Sequence, residues 1–99
     1  MTALRVLQVL RHPLYLESLN AIEDHIAQDN PIVAVDLWLT IDDQVSKLAD
    51  PNFPRQRGRV NGTLELVAHP NYIVVLTQTL DTVTAIDVLH TAMRYPPED

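Results

Sequence analysis

Residues 62–78 have the sequence Gly-Thr-Leu-Glu-Leu-Val-Ala-His-Pro-Asn-Tyr-Ile-Val-Val-Leu-Thr-Gln. Two apolar runs lie here, at 62–68 and 72–79, and a His-Pro-Asn turn separates them. A short connection of turn-forming residues between two such runs predicts an antiparallel β-hairpin. A third run at 83–90 follows a Leu-Asp-Thr turn, so the three strands are predicted to form an antiparallel meander.

Upstream of this meander, the spacing of apolar residues predicts two amphipathic helices. Residues 14–28 carry an apolar stripe at steps of 4, 3 and 4, and Pro13 suits the first turn of a helix. Residues 31–49 carry a second stripe, at steps of 3, 4, 4 and 3. Because the connection between them is very short, the helices should form an antiparallel hairpin that packs on a flat surface. The stripe residues are Tyr15, Leu19, Ile22 and Ile26 in the first helix, then Ala34, Leu37, Ile41, Val45 and Leu48 in the second.

The first strand is predicted at residues 3–10. Apolar side chains occur on both of its faces, which is typical of a strand that lies centrally in a sheet or is covered on both sides. Residues 50–61 hold two prolines and three of the seven basic residues, and we expect a loop there. The predicted fold class is therefore α+β, a helical hairpin packed on an antiparallel sheet in the order β-α-α-β-β-β. We expect a single domain over residues 1–99 with a loose tail at 95–99.

The composition narrows the functional classes. Seven Lys and Arg stand against thirteen Asp and Glu, giving a net charge of −6, which argues against a broad surface for nucleic acid or an anionic membrane. Cysteine is absent, which excludes a disulfide scaffold and a zinc finger built on Cys. The two glycines are too few for a phosphate-binding loop. No segment approaches the roughly 20 apolar residues that span a bilayer, and no secretory signal is expected at the start. We therefore expect a cytoplasmic protein.

Three segments carry a resemblance to a known family. Residues 57–78 resemble the core signature of the ParE/RelE toxins of type II toxin–antitoxin systems, a G-R-x-x-G-T-R-E-L segment followed by a Y-I-V-x-Y strand. Residues 85–96 resemble the family's I-x-x-x-x-V-x-H strand and its tail. Residues 27–34 resemble the hairpin turn of the ParE branch, so the resemblance favours ParE over RelE.

The resemblance implies a small bacterial toxin that a cognate antitoxin holds inactive. In ParE-like proteins the target is DNA gyrase and no catalysis is known, whereas RelE-like proteins cleave mRNA on the ribosome. The resemblance implies contact with DNA only through the antitoxin, and no cofactor. The alternatives to a gyrase inhibitor are therefore a RelE-like ribosome-dependent endonuclease and a non-toxic relic that only binds its antitoxin.

Three residues depart from the family pattern. Leu64 stands where the family commonly has Arg, Leu76 where it has an aromatic residue, and Asp87 where a basic or neutral residue is usual. Each departure removes a cation or a polar group from the predicted sheet. One hypothesis is that the toxin is attenuated, and restoring Leu64→Arg and Leu76→Tyr in a growth assay would test it.

If the protein were a nuclease, the candidate catalytic residues would be Arg57, Arg59, His90 and Arg94. Arginines could hold the scissile phosphate, and His90 could transfer a proton because its ordinary pKa is about 6.5. The simpler interpretation of His90 is a hydrogen-bonded residue at a strand end. Arg55, Arg57 and Arg59 could equally form a solvated loop or bind an acidic partner.

The predicted partner-binding set combines basic and apolar residues. One helical hairpin cannot cover both faces of a sheet, so part of its apolar surface should face a partner, although the same residues could fill the core. Glu65 is expected to form a structural pair with a loop arginine, and Asp42 and Asp43 to mark a solvated helix face. The histidine spacing predicts no metal site. The set comprises Arg55, Arg57, Arg59, Leu64, Leu66, Ile73, Val75 and Arg94.

Overall fold

Two helices lie side by side on one face of a five-stranded sheet, in a computed structural model that describes residues 5–92 and residue 96. Most of the predicted tail, 95–99, therefore lies outside the described residues. The elements are β1 (Gln8–Arg11), α1 (Pro13–Ala27), α2 (Pro31–Ser46), a 3₁₀ turn (Lys47–Ala49), β2 (Gln56–Arg57), β3 (Leu64–His69), β4 (Tyr72–Gln78) and β5 (Thr82–His90).

Both helices begin at a proline, and the residue before each proline caps the helix. His12 Nδ1 accepts a hydrogen bond from the Leu14 N–H at 3.0 Å, and Asn30 Oδ1 accepts one from the Val33 N–H at 3.2 Å. A side-chain acceptor before a first-turn proline satisfies donors that the helix itself leaves free. The second helix was predicted to continue to residue 49, but its last turn tightens into the 3₁₀ turn. The predicted helical hairpin is confirmed.

The sheet has the order β1-β5-β4-β3-β2, and β3, β4 and β5 form the predicted antiparallel meander. β1 differs from the prediction: it runs parallel to β5, at the edge of the sheet, and begins at Gln8. The sheet is therefore mixed. The apolar residues that suggested a central strand differ in burial, since Leu7 is buried while Val6 is exposed to solvent. Periodicity carries no information on the direction of a neighbouring strand far away in sequence.

The predicted loop at 50–61 contains one short strand. Gln56 and Arg57 pair with Glu65 and Leu64, so β2 lengthens the sheet beyond β3. Two residues before β2, Pro54 offers no N–H for a further ladder bond. β2 therefore covers only the first part of β3.

The main core lies between the helices and the sheet. Tyr15 and Leu19 of α1 and Ile41 and Val45 of α2 pack there against alternate residues of β3, β4 and β5. A smaller buried cluster, Ile73, Val75 and Leu89, belongs to the other set of alternate strand residues. In β5, Ile86 forms a bulge opposite Val75 and packs against this second cluster. No helix in residues 5–92 is long and apolar enough to cross a membrane.

Candidate functional site

The arginine segment, residues 55–59, lies at the β2 edge of the sheet. Arg55 donates to three carbonyl oxygens, including those of Phe53 at 3.0 Å and Asp50 at 2.6 Å, and to Gln78 Oε1 at 2.9 Å. Burial lowers the pKa of Arg55, and the nearby Asp50 charge partly opposes that shift. These bonds join the chain after α2 to the end of β4. The guanidinium of Arg55 therefore has a structural role, because it connects the chain after α2 to β4.

Arg59 pairs with Glu65, as predicted. The Arg59 N–H donates to Glu65 Oε2 at 2.9 Å, and its Nε lies 3.7 Å from Oε1. Glu65 is only 1% exposed, so this pair neutralises a buried charge at the start of β3. Arg57 is exposed and, together with Arg59, lines an open pocket of about 590 Å³ with Asn61 and Gln78.

His90 lies at the far end of the sheet from these arginines. Its ring contacts Tyr72 edge-on at 5.1 Å, and its Nδ1 accepts from the Ala92 N–H at 3.0 Å. In the sheet, Arg57 of β2 is paired with Leu64 of β3, and Leu64 is paired with Leu76 of β4. Leu76 lies four residues along β4 from Tyr72, which is the strand partner of His90. With about 4.8 Å between strands and about 3.3 Å per residue, the backbones of Arg57 and His90 are roughly 20 Å apart.

The residues considered for RNA cleavage therefore do not converge on one described site. Arg57 and Arg59 lie together, His90 lies apart from them, and Arg94 lies outside the described residues. His90 makes the strand-end hydrogen bond that the simpler interpretation anticipated. Among the described residues, no three His, Asp or Glu side chains lie close enough to hold a metal ion.

The four apolar residues of the predicted partner-binding set do not share one surface. Leu66 is buried in the main core, and Leu64 packs against that core. Ile73 and Val75 are buried in the second cluster. All four contribute to packing within this chain.

Two of the family departures have structural roles. Leu76 is fully buried in the main core, so its side chain is not available for contact with a partner. Asp87 Oδ1 accepts from Ser18 Oγ at 2.6 Å and from the Val88 N–H at 2.8 Å, which ties α1 to β5. Leu64, in contrast, is only partly buried and lines the pocket beside Arg57.

A polar network at the opposite edge of the sheet corrects one prediction. Asp42 was predicted to face solvent, but its Oδ1 accepts from Arg11 Nε at 2.8 Å and from the Tyr15 hydroxyl at 3.0 Å. Burial raises the pKa of Tyr15, and the Asp42 charge raises it further. Helical spacing alone does not predict this role of Asp42, because its partners Arg11 and Tyr15 belong to other elements.

The helical hairpin on one face of this sheet, with the meander that follows it, defines a small α+β domain. The chain matches the model of the family described as the ParE toxin of the type II toxin–antitoxin system parDE, over residues 9–95, and it belongs to that family. The predicted family is thereby confirmed. The structure confirms the predicted α+β class, with a mixed sheet in place of the antiparallel one.

A solved structure has a similar fold at low sequence identity. It is described as the chromosomal ParDE TA system from P. aeruginosa, with a TM-score of 0.75 and 17% identity, covering 86% of this chain and 96% of that chain. The comparison with curated proteins found no match.

Proposed function

We propose that this protein is a toxin that a cognate antitoxin neutralises and that inhibits DNA gyrase in the cytoplasm. The observation that carries the proposal is the match to the ParE toxin family over residues 9–95, nearly the whole chain. In that family, as the sequence resemblance implies, the target is a protein. The toxin therefore acts by binding rather than by a reaction of its own.

The placement of the charged residues supports a protein target over RNA. Arg55 and Arg59 are engaged within the fold, and His90 lies roughly 20 Å from Arg57 by strand geometry. A ribosome-dependent nuclease must also approach rRNA phosphates, and binding to phosphates grows with the number of neutralised charges. A net charge of −6 opposes such an approach.

The outer edge of β3 supports antitoxin binding. The Gly58 N–H donates to the Thr63 carbonyl at 2.9 Å, so the main chain of residues 63, 65 and 67 points towards the β2 side. β2 pairs with Leu64 and Glu65 alone, and Val67 lies beyond it with an exposed side chain. An extended antitoxin segment can add to such an edge through main-chain hydrogen bonds.

Paired assays test the proposal. Purified protein is added to a gyrase supercoiling reaction and, separately, to an in vitro translation reaction, each with and without the antitoxin encoded beside it. We expect loss of supercoiling, unaffected translation, and recovery of supercoiling when antitoxin is added. Cleavage of mRNA in the ribosome would instead establish the RelE-like alternative. Inactivity in both assays with tight antitoxin binding would establish the non-toxic relic.

A further inference from the structure

An apolar stripe runs along the outer surface of α2. Ile32, Val35 and Leu39 are 75%, 48% and 56% exposed. Their spacing of three and four residues places them on one side of the helix, away from the buried Ala34 and Ile41. Single exposed apolar residues are common, but three aligned on one helix form a contiguous patch of the kind that marks an interaction site. We call this set the α2 stripe.

The α2 stripe lies on the most acidic part of the molecule. Residues 12–46, which include both helices, contain seven Asp and Glu and no Lys or Arg. Asp36 and Asp43 follow Ile32 and Leu39 by four residues each, so they border the stripe, and both are exposed. Asp43 already pairs with Lys47 at 3.4 Å, whereas Asp36 lies in the middle of the stretch without Lys or Arg. The acidic residues of this segment are Glu17, Glu23, Asp24, Asp29, Asp36, Asp42 and Asp43.

This charge distribution decides what can cover the stripe. A second copy of the chain would bring the acidic border of one hairpin against that of the other, and juxtaposed like charges disfavour an interface. A partner with Lys or Arg on both sides of an apolar face would satisfy the border and cover the stripe together. A helix meets this requirement readily because residues at i, i+3, i+4 and i+7 align.

We propose that the α2 stripe binds a cationic amphipathic helix of a protein partner. The apolar face of that helix packs on Ile32, Val35 and Leu39. Its basic flanks lie against Asp36 and against Asp43, where they compete with Lys47. Neither the stripe residues nor Asp36 and Asp43 line the pocket between α2, β2 and β3, so the surface is separate from the edge assigned to the antitoxin strand. The proposal does not depend on which protein the toxin inhibits.

The test uses two synthetic helical peptides with the same leucine face, one with lysine flanks and one with glutamate flanks. Binding to the full chain is measured by fluorescence anisotropy. We expect the lysine peptide to bind, and the glutamate peptide to bind at least about tenfold more weakly because its charge matches the acidic border. Equal binding of both peptides, or binding of neither, would overturn the proposal.

Matched variants locate the surface. Leu39→Ser and Ile32→Ser should each weaken binding of the lysine peptide by about tenfold, whereas Leu80→Ser, at a 70% exposed position in the turn between β4 and β5, should change it less than about twofold. Asp36→Asn should weaken it more than Asp81→Asn, which removes the same charge elsewhere. Equal effects of each pair would refute the site, and so would self-association of the chain that Leu39→Ser abolishes. Thermal melts of all variants confirm folding, since every position is exposed.

Discussion

Arg11 on β1 donates from its Nε to Oδ1 of Asp42 on α2 at 2.8 Å, across 31 positions of sequence. The same carboxylate oxygen accepts from the Tyr15 hydroxyl of α1 at 3.0 Å. One side chain thus links the edge strand to both helices. Because β1 has a ladder partner on one side only, β5, its attachment to the helical layer depends on such bonds. Arg11 also donates to Ser46 Oγ at 2.8 Å, and the Leu7 N–H donates to the Ala49 carbonyl at 2.8 Å.

Removing the Asp42 charge should therefore destabilise the fold. Asp42→Asn leaves Arg11 and the Tyr15 hydroxyl with poorer acceptors in a half-buried site, and we expect a loss of about 1–3 kcal/mol in the free energy of unfolding. Asp43→Asn is the matched control, since its exposed pair with Lys47 at 3.4 Å should contribute less than about 0.5 kcal/mol. Urea denaturation measures both. Similar losses for the two variants would show that the network contributes little.

Tyr15 should make stability depend on alkaline pH. Burial, and then the Asp42 charge, raise the pKa of Tyr15 above its ordinary value of 10.0. Between these two pKa values the unfolded chain releases the phenolic proton and the native chain keeps it, so the free energy of unfolding falls as pH rises above about 10. Below that pH this contribution is constant. Tyrosinate absorbance, compared between the wild type and Asp42→Asn, should show Tyr15 ionising at lower pH in the variant.

Arg57 and Arg59 of the arginine segment should contribute differently to the stability of the fold. Arg59→Ala leaves the buried Glu65 carboxylate without its cation, and we expect a loss of about 1–2 kcal/mol. Arg57→Ala, at an exposed position two residues away, should change the free energy of unfolding by less than about 0.5 kcal/mol. Thermal melts at equal protein concentration check this. A larger loss for Arg57→Ala would mean that the Arg59–Glu65 pair is not the stabilising contact.

Restoring the family residues should have unequal consequences. Leu76→Tyr inserts a larger side chain into a fully buried position, so overpacking should cost about 1–3 kcal/mol. Leu64→Arg should cost less than about 1 kcal/mol, because Leu64 is only partly buried and an arginine can extend its charged end to solvent. Growth assays interpreted beside melting curves distinguish toxicity from lost abundance. Equal stability of both variants would contradict the packing described for Leu76.

The helices and the meander were predictable because each depends on local patterns. The apolar steps through Tyr15 and Leu19 mark the face that packs on the sheet, and the turns before Tyr72 and Thr82 set the three antiparallel strands. The pairing of Glu65 with a loop arginine was also predictable, since a single carboxylate in an apolar strand needs a cation nearby.

The candidate site was less accessible to sequence reasoning. Arg57 and His90 are both near strands in sequence, but their separation depends on which ends of the strands meet in the sheet. Leu66 and Ile73 were predicted to share a partner-binding surface, but they belong to opposite faces of the sheet and pack in different clusters. Asp42 acquired its role from Arg11 and Tyr15, neither of which belongs to its own helix.

Local order along the chain was enough for the helical hairpin, the meander and the family, because side-chain periodicity and turn residues act between near neighbours. The parallel placement of β1 beside β5, the two-residue strand β2 and the partners of Asp42 arose only when distant segments met. The physical reason is that a hydrogen-bond ladder or a buried charge selects its partner by position in space, and the folded arrangement of the other elements sets that position.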